Sequence, residues 1–321
     1  MKKEELRIVF MGTPEFAVPT LQALVEGGYN VVCVVTQPDK PVGKHHHTLQ
    51  PPAVKVYANE HGIPVLQPDK MKDESFLKEL NEYHPDVQVV VAFRMLPEVV
   101  WALPRFGTFN VHAALLPQYR GAAPINWAII NGEERTGVTT FFLDRNIDTG
   151  RIIMQREMPI GAEDNVETVY DRLMRLGAEI AVETIDRMIE GNGKIDSIPQ
   201  EQLISGVEKL NDAPKLFKEN CIINWNMSAK QVHNFIRGLS PIPGAWAPFG
   251  SDARQTIKIY ESHITGICTD QPAGTLFSYQ GRLMASAGGE MLELLQVQLS
   301  GKRRMASKDF LNGMKTSIAE V

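Results

Sequence analysis

Three stretches of the chain, residues 6–11, 31–36 and 87–93, are nearly unbroken apolar runs rich in Val and Ile. A strand with one face in water alternates polar and apolar residues. An unbroken run therefore needs cover on both faces, the condition of a central parallel strand between helical layers. Helical patterns separate the runs as that arrangement demands, at 16–26 and at 73–82, the second opened by the acidic N-cap Asp73. Residues 108–112 and 137–143 read as further strands. Beyond them Val166, Val169, Tyr170, Leu173, Leu176, Ile180, Ile185, Met188 and Ile189 recur at helical spacing behind the cap Asp164, and Gly191-Asn192-Gly193 ends the helix. Residues 1–193 are expected to form an α/β domain on a Rossmann-like, mostly parallel sheet.

The pattern then changes. Residues 194–208 are polar and aperiodic, as in a linker. Within 209–321, Ser228 caps a helix over 228–239 that presents Val232, Phe235, Ile236 and Leu239, and Pro241-Ile242-Pro243-Gly244 stops it. Short strands at 256–261, 282–286 and 291–297, divided by turn residues, predict a small C-terminal OB-like β-barrel. Charge divides the same way: residues 207–321 carry 13 Lys and Arg against 10 Asp and Glu, a net +3, which leaves −8 of the overall −5 to residues 1–206. A polyanion would meet the second domain first. The apolar stretch at 8–10 is too short for a signal peptide, and no run approaches the roughly 20 residues of a membrane helix. A cytoplasmic protein is expected. Cys33, Cys221 and Cys268, odd in number and far apart, read as buried reduced thiols rather than as disulfides or a zinc site.

The first strand-to-helix turn, Phe10-Met11-Gly12-Thr13-Pro14-Glu15-Phe16, has one glycine through which backbone could approach a ligand or merely turn tightly. Pro14 and Glu15 stand where a dinucleotide fingerprint needs glycines, and no P-loop Lys follows. Chemistry concentrates instead in residues 108–127. Asn110 and His112 are two apart on a strand and share a face at its carboxyl end, where open α/β sheets keep their sites. Asp148 lies beyond a second strand, in Leu143-Asp144-Arg145-Asn146-Ile147-Asp148-Thr149-Gly150. An amide to donate to an oxyanion, an imidazole to move protons and a carboxylate to hold it form an acyl-transfer set.

The run Asn110-x-His112-x-x-Leu115-Leu116-Pro117-x-x-Arg120-Gly121-Ala122-Ala123-Pro124-Ile125, with Asp148 downstream, resembles the folate-dependent formyltransferases. Met11-Gly12-Thr13-Pro14-Glu15-Phe16-Ala17, Pro38-Asp39-Lys40-Pro41-x-Gly43-Lys44, Leu292-Glu293-Leu294-Leu295-x-Val297-Gln298 and Gly301-Lys302-Arg303-Arg304-Met305 extend the similarity over nearly the whole chain. They point to the branch whose acceptor is methionyl-tRNA. The resemblance implies 10-formyltetrahydrofolate as formyl donor and initiator methionyl-tRNA as acceptor, with no metal, no membrane and no obligate protein partner. An amino-sugar nucleotide or glycinamide ribonucleotide would use the same trio. The loop over 38–50 and the C-terminal barrel are more chain than so small an acceptor requires. A non-catalytic RNA-binding module is a third reading, opposed by the presence of all three catalytic side chains.

On the same resemblance, Asn110 donates to the oxyanion, protonated His112 adds a second donor, and Asp148 orients His112 and relays a proton. The folate would lie among Phe93, Arg94, Met95, Leu96, Ala114, Leu115, Leu116, Pro117, Asp144 and Asn146. The tRNA would meet Gly12, Thr13, Phe16, Lys40, Lys44 and Arg120, its phosphates falling to Lys302, Arg303, Arg304 and Lys308, with Lys209, Lys215 and Arg237 behind them. Two departures stand out. Ala114 and Gln118 occupy positions where the family commonly has Ser and a basic residue, and Lys44-His45-His46-His47 replaces a more basic loop.

Overall fold

In the computed structural model, which describes residues 1–42, 48–204, 209–250, 255–314 and 318–321, the unbroken apolar runs are the middle of a seven-stranded sheet. Its strands are β1 (Ile8–Gly12), β2 (Val31–Val35), β3 (Val65–Leu66), β4 (Val87–Val91), β5 (Thr108–His112), β6 (Arg135–Phe142) and β7 (Ile152–Pro159), in the order β7-β6-β5-β4-β1-β2-β3. The pairings from β3 across to β5 are parallel, and β6 runs antiparallel to β5. Every residue of β1 and β4 is buried, which is why neither alternates. Helices α1 (Val18–Glu26), α2 (Ala53–Glu60) and α3 (Glu74–Glu82) belong to the same unit. The helix expected from residue 16 opens as a 3-10 turn, Glu15–Ala17, with α1 starting after it. Asp73 holds the N-cap position of α3, but its side chain makes no capping hydrogen bond.

The chain divides into two compact units. One comprises Met1–Gly121, Thr136–Met158 and Tyr170–Asp212; the other comprises Ala122–Arg135, Pro159–Val169 and Ala213–Val321. This differs from the continuous division at 193 and 209, because two short segments group with the C-terminal residues. Their anchors are specific. Helix α4 (Pro124–Ile130) packs on α6 (Ala229–Leu239), with α5 (Val166–Glu190) between them in sequence. Asn126 Nδ2 donates to the Gly238 carbonyl at 2.9 Å, and a Cβ at Gly238 would stand 2.6 Å from the Ile130 side chain. Arg237 donates to the carbonyls of Gly161 at 3.2 Å and Asp164 at 2.8 Å. Arg237 is therefore buried structure rather than the phosphate contact considered above. Within the stretch read as a linker, Ile198 pairs with Ile152 and Glu201–Ile204 is helical, while residues 205–208 lie outside the described residues.

Ser228 caps α6 as its sequence indicates: its Oγ accepts from Gln231 N–H, and the Gln231 side chain accepts from Ser228 N–H. The apolar face of α6, Val232, Ile236 and Leu239, shares a core with Ile257, Ile259, Leu283, Leu292, Leu294 and Val297. These six lie on β9, β11 and β12 of the strands β8 (Ala245–Phe249), β9 (Gln255–Cys268), β10 (Leu276–Tyr279), β11 (Arg282–Ala287), β12 (Glu290–Leu299), β13 (Met305–Ala306) and β14 (Ala319–Glu320). The sheet runs β8-β9-β12-β11-β10-β14, with β13 on β12, and α7 (Ser307–Gly313) follows β13. Irregular pairing with β12 between Ile259 and Glu261, and again beyond Ile264, bends β9, which at 14 residues far exceeds the strand expected at 256–261. Cys33 and Cys221 are buried, and burial, with Glu79 adding, pushes the Cys33 thiol up to about 12. Cys268 at the end of β9 is exposed, contrary to expectation. Among the described residues no helix is long and apolar enough to cross a membrane.

His233 of α6 is held in its neutral form. Nε2–H donates to the Ala162 carbonyl at 3.3 Å and Nδ1 accepts from Ser262 Oγ at 3.0 Å. Burial lowers its pKa below the ordinary value, Arg237 and His263 adding to the effect while the Ala162 carbonyl and Glu163 oppose it. The unfolded chain therefore takes up this proton first, and stability is lost as pH falls through about 6.5. Thermal denaturation across that range should show the midpoint falling with pH, and His233→Gln should flatten the fall.

Candidate active site

Strand β5 is fixed at its start by a buried hydroxyl. Thr108 Oγ1 lies 2.9 Å from Gln88 Oε1 and 2.7 Å from the Trp101 carbonyl, which sets the strand's depth. Two residues further, Asn110 is half-buried, with Oδ1 sealed from solvent and no hydrogen bond from its amide to any described residue. A buried amide oxygen without a partner costs about 1–3 kcal/mol. His112, on the same face, is 7% exposed and sits edge-on to Phe141 at 6.3 Å. Its Nε2 is 2.9 Å from the Tyr119 carbonyl. A carbonyl only accepts, so Nε2 carries the proton and Nδ1 is left as the ring's open acceptor.

The third member is placed by its own loop. Asp148 has φ +55° and its Oδ2 accepts from Gly121 N–H at 2.9 Å. Among the described residues no hydrogen bond or ion pair joins Asp148 to His112, so the expected direct orientation of the imidazole by this carboxylate is replaced by the Tyr119 carbonyl. The two side chains instead grip one short piece of backbone, His112 at residue 119 and Asp148 at residue 121. Gly150 allows the loop to close, since a Cβ there would lie 1.6 Å from the Phe142 carbonyl oxygen. Asp144 Oδ1 accepts from Asn146 N–H at 2.9 Å and from Thr149 Oγ1 at 2.7 Å, shaping the turn, while Asn146 is exposed.

Residues 113–118 are bound down by one buried threonine. Thr139 Oγ1 donates to the Ala114 carbonyl at 2.6 Å and accepts from Leu116 N–H at 3.1 Å, and Gln155 Nε2 donates to Thr139 at 2.9 Å and to the Leu116 carbonyl at 2.7 Å. Ala114 is fully buried, so no side chain at 114 reaches a ligand; Leu116 and Pro117 are also buried, and Leu115 is half-buried. Gln118, the other departure, fastens residues 209–211 by donating to the Lys209 carbonyl at 3.0 Å and accepting from Asn211 N–H at 2.8 Å.

At the exit of β4, Met95 is 77% exposed, Phe93 is half-buried and Leu96 joins the core. The Arg94 guanidinium is turned onto the carbonyls of Pro68 and Asp69, which makes it a loop brace, although its Nε remains buried without a partner. A concavity of about 400 Å³ beside them is lined by Met71, Lys72, Met95, Leu96, Pro97, Glu98, Trp101 and Arg145.

The remaining assignments sort by packing. Gly12 is walled in, a Cβ there falling 2.7 Å from Ala17 and 3.1 Å from the Val91 carbonyl, so this glycine serves close packing. Phe16 is buried against Tyr170 with ring centres 5.0 Å apart, and Thr13 Oγ1 is buried without a partner. Arg120 is half-buried. Lys40 is exposed on a hairpin, while Lys44 and His45 to His47 lie outside the described residues. Lys302, Arg303 and Arg304 are exposed on the β12–β13 turn. The Arg304 guanidinium lies 4.4 Å over the Tyr260 ring and its Nε donates to Gln296 at 2.6 Å. Among the described residues no three His, Cys, Asp or Glu side chains gather as a metal would need.

Residues 6–185 match the family model described as formyl transferase, and residues 215–315 match the formyl transferase C-terminal domain. The chain belongs to the formyltransferase family. It is 55% identical over 323 residues to the methionyl-tRNA formyltransferase of Parabacteroides distasonis, covering 100% of this chain and 99% of the relative. It is 52% identical over 322 residues to that of Bacteroides fragilis, covering 99% and 98%. Among solved structures, an N-formyltransferase from Helicobacter canadensis, in complex with folinic acid and dTDP-3-aminofucose, aligns with a TM-score of 0.65 at 20% identity over 90% of this chain and 98% of that one. That likeness concerns the fold.

Residues that sequence reasoning missed in this formyltransferase are Thr139, Gln155 and Gln200. Thr139 and Gln155 sit inside strands, where periodicity speaks only of faces, and Gln200 fell in the aperiodic stretch. The Thr139 hydroxyl is the tightest of these supports. Thr139→Val keeps the shape but strands the Leu116 N–H and the Ala114 carbonyl, and should cost about 2 kcal/mol in denaturant unfolding. An unchanged midpoint would deny the hydroxyl that role.

Proposed function

We propose that this formyltransferase moves the formyl group of 10-formyltetrahydrofolate onto the free α-amino group of methionyl-initiator tRNA, in the cytosol where initiator tRNA is charged. The full-length likeness to methionyl-tRNA formyltransferases, across both family domains, carries the reading. The donor supplies an activated one-carbon acyl group. The residues around β5 fit it, because the Asn110 amide makes no hydrogen bond to any described residue and His112 keeps an open Nδ1.

In this reading Asn110 donates an amide N–H to the formyl oxygen as negative charge develops there. The Tyr119 carbonyl fixes the imidazole of His112, which takes or gives a proton at Nδ1. Asp148 holds one carboxylate oxygen on Gly121 and uses the other, directly or through water, to relay the proton of the attacking amine to the folate nitrogen, so that the bond from that nitrogen to the formyl carbon breaks and tetrahydrofolate leaves. The amine needs little activation, since an α-amino group has a pKa near about 8 and esterification to tRNA lowers it. Met95, Leu96 and the Asp144–Asp148 loop stand where a pterin would be held, and Lys40, Lys302, Arg303 and Arg304 offer exposed cations to phosphates.

Formylation should be seen with methionyl-tRNA and not with glycinamide ribonucleotide or an amino-sugar nucleotide; formylation of either small acceptor alone would overturn the reading. Asn110→Ala should lower kcat about a hundredfold, roughly 3 kcal/mol, and Asp148→Asn should lower it comparably. For tRNA binding, each phosphate neutralised adds roughly 0.7–0.9 to the slope of log affinity against log salt, so Arg303→Ala should reduce that slope by about this amount. A salt-independent affinity would remove these cations from the interface.

A further inference from the structure

We infer that Gln200 is a positioning residue for formyl transfer, setting the Asp148 loop and the Arg120 guanidinium against each other; the inference rests on the function proposed above. Gln200 is fully buried, and a buried primary amide must place two N–H groups and a carbonyl. It places all of them. Nε2 donates to the carbonyls of Asp148 at 2.9 Å and Gly150 at 2.8 Å, while Oε1 accepts from Arg120 Nε at 3.1 Å and Nη2 at 2.7 Å. Turning the amide over would set its NH2 against a guanidinium and its oxygen against two carbonyls, so one orientation is enforced.

Each end of the amide has its own effect. Asp148 sits at φ +55°, a left-handed conformation that a residue with a Cβ keeps where its neighbours over-determine it. Gln200 fixes the Asp148 carbonyl and Gly121 fixes its carboxylate, so backbone and side chain are held from opposite ends. Arg120 spends Nε and Nη2 on a single oxygen and keeps Nη1 without a hydrogen bond to any described residue. It is thereby aimed rather than consumed. Nothing in the helical or strand pattern around Gln200 marks it; its partners are Arg120, in the segment that also supports His112, and the Asp148–Gly150 loop.

Gln200→Glu and Gln200→Met separate the two ends. The glutamate keeps an acceptor for Arg120 but replaces both donated bonds with carboxylate against carbonyl; the methionine removes both ends. Steady-state formylation of methionyl-tRNA, each variant assayed below its own thermal midpoint, should show kcat reduced about tenfold to a hundredfold in both, with either KM within about twofold. A Gln200→Glu enzyme with wild-type kcat, or a loss confined to KM, would overturn the proposal, because a purely structural or Arg120-only role gives those results. Should the methionine variant not fold, the isosteric glutamate decides. A wild-type chain that formylates no tRNA instead defeats the underlying reading of function.

Discussion

His112 and Asp148 hold the same three residues of backbone, and the site is organised around that grip. The imidazole takes the carbonyl of Tyr119 and the carboxylate takes the N–H of Gly121. Tyr119 has φ +60°, a conformation that a residue with a Cβ does not adopt cheaply without such support, while Gly121 takes φ +126° freely. Because no hydrogen bond or ion pair joins the two side chains, each remains available on its second atom, Nδ1 of His112 and Oδ1 of Asp148. The short loop transmits any displacement of one to the other.

The sheet makes this grip possible. Burying both faces of β1 and β4 lets β5 sit beside them with its depth set by Thr108, so that Asn110 and His112 reach the same face at a fixed height. The loop beyond is then fastened polar group by polar group: Ala114 and Leu116 on Thr139, Leu116 on Gln155, Asp148 and Gly150 on Gln200. Beside these fastened groups the Asn110 side chain makes no hydrogen bond to any described residue, which leaves its amide N–H groups uncommitted.

Much of this was legible in the sequence, and the reason is period. The runs at 8, 31 and 87 could bury two faces and nothing else, and the two-residue spacing of Asn110 and His112 fixed their common face. The Ser228 capping box was likewise a local signal. What escaped was set by partners distant in sequence. Gln200 acts on residues 52 and 80 positions away, and α4 groups with the C-terminal unit through contacts 112 positions away. Phe16, read from its turn alone, gives no sign of Tyr170, which it packs against. The role first given to Asp148 followed from residue types alone, which do not say that Tyr119 is nearer to the imidazole.

The central claim is that Asn110, His112 and Asp148 meet one reacting carbon. A crystal structure of the chain with 5-formyltetrahydrofolate bound tests it directly. The account predicts the formyl oxygen about 3 Å from Asn110 Nδ2, within hydrogen-bonding distance, with the His112 and Asp148 side chains on the same formyl group. A formyl group beyond hydrogen-bonding reach of Asn110 and His112, with the folate fully ordered, would contradict it.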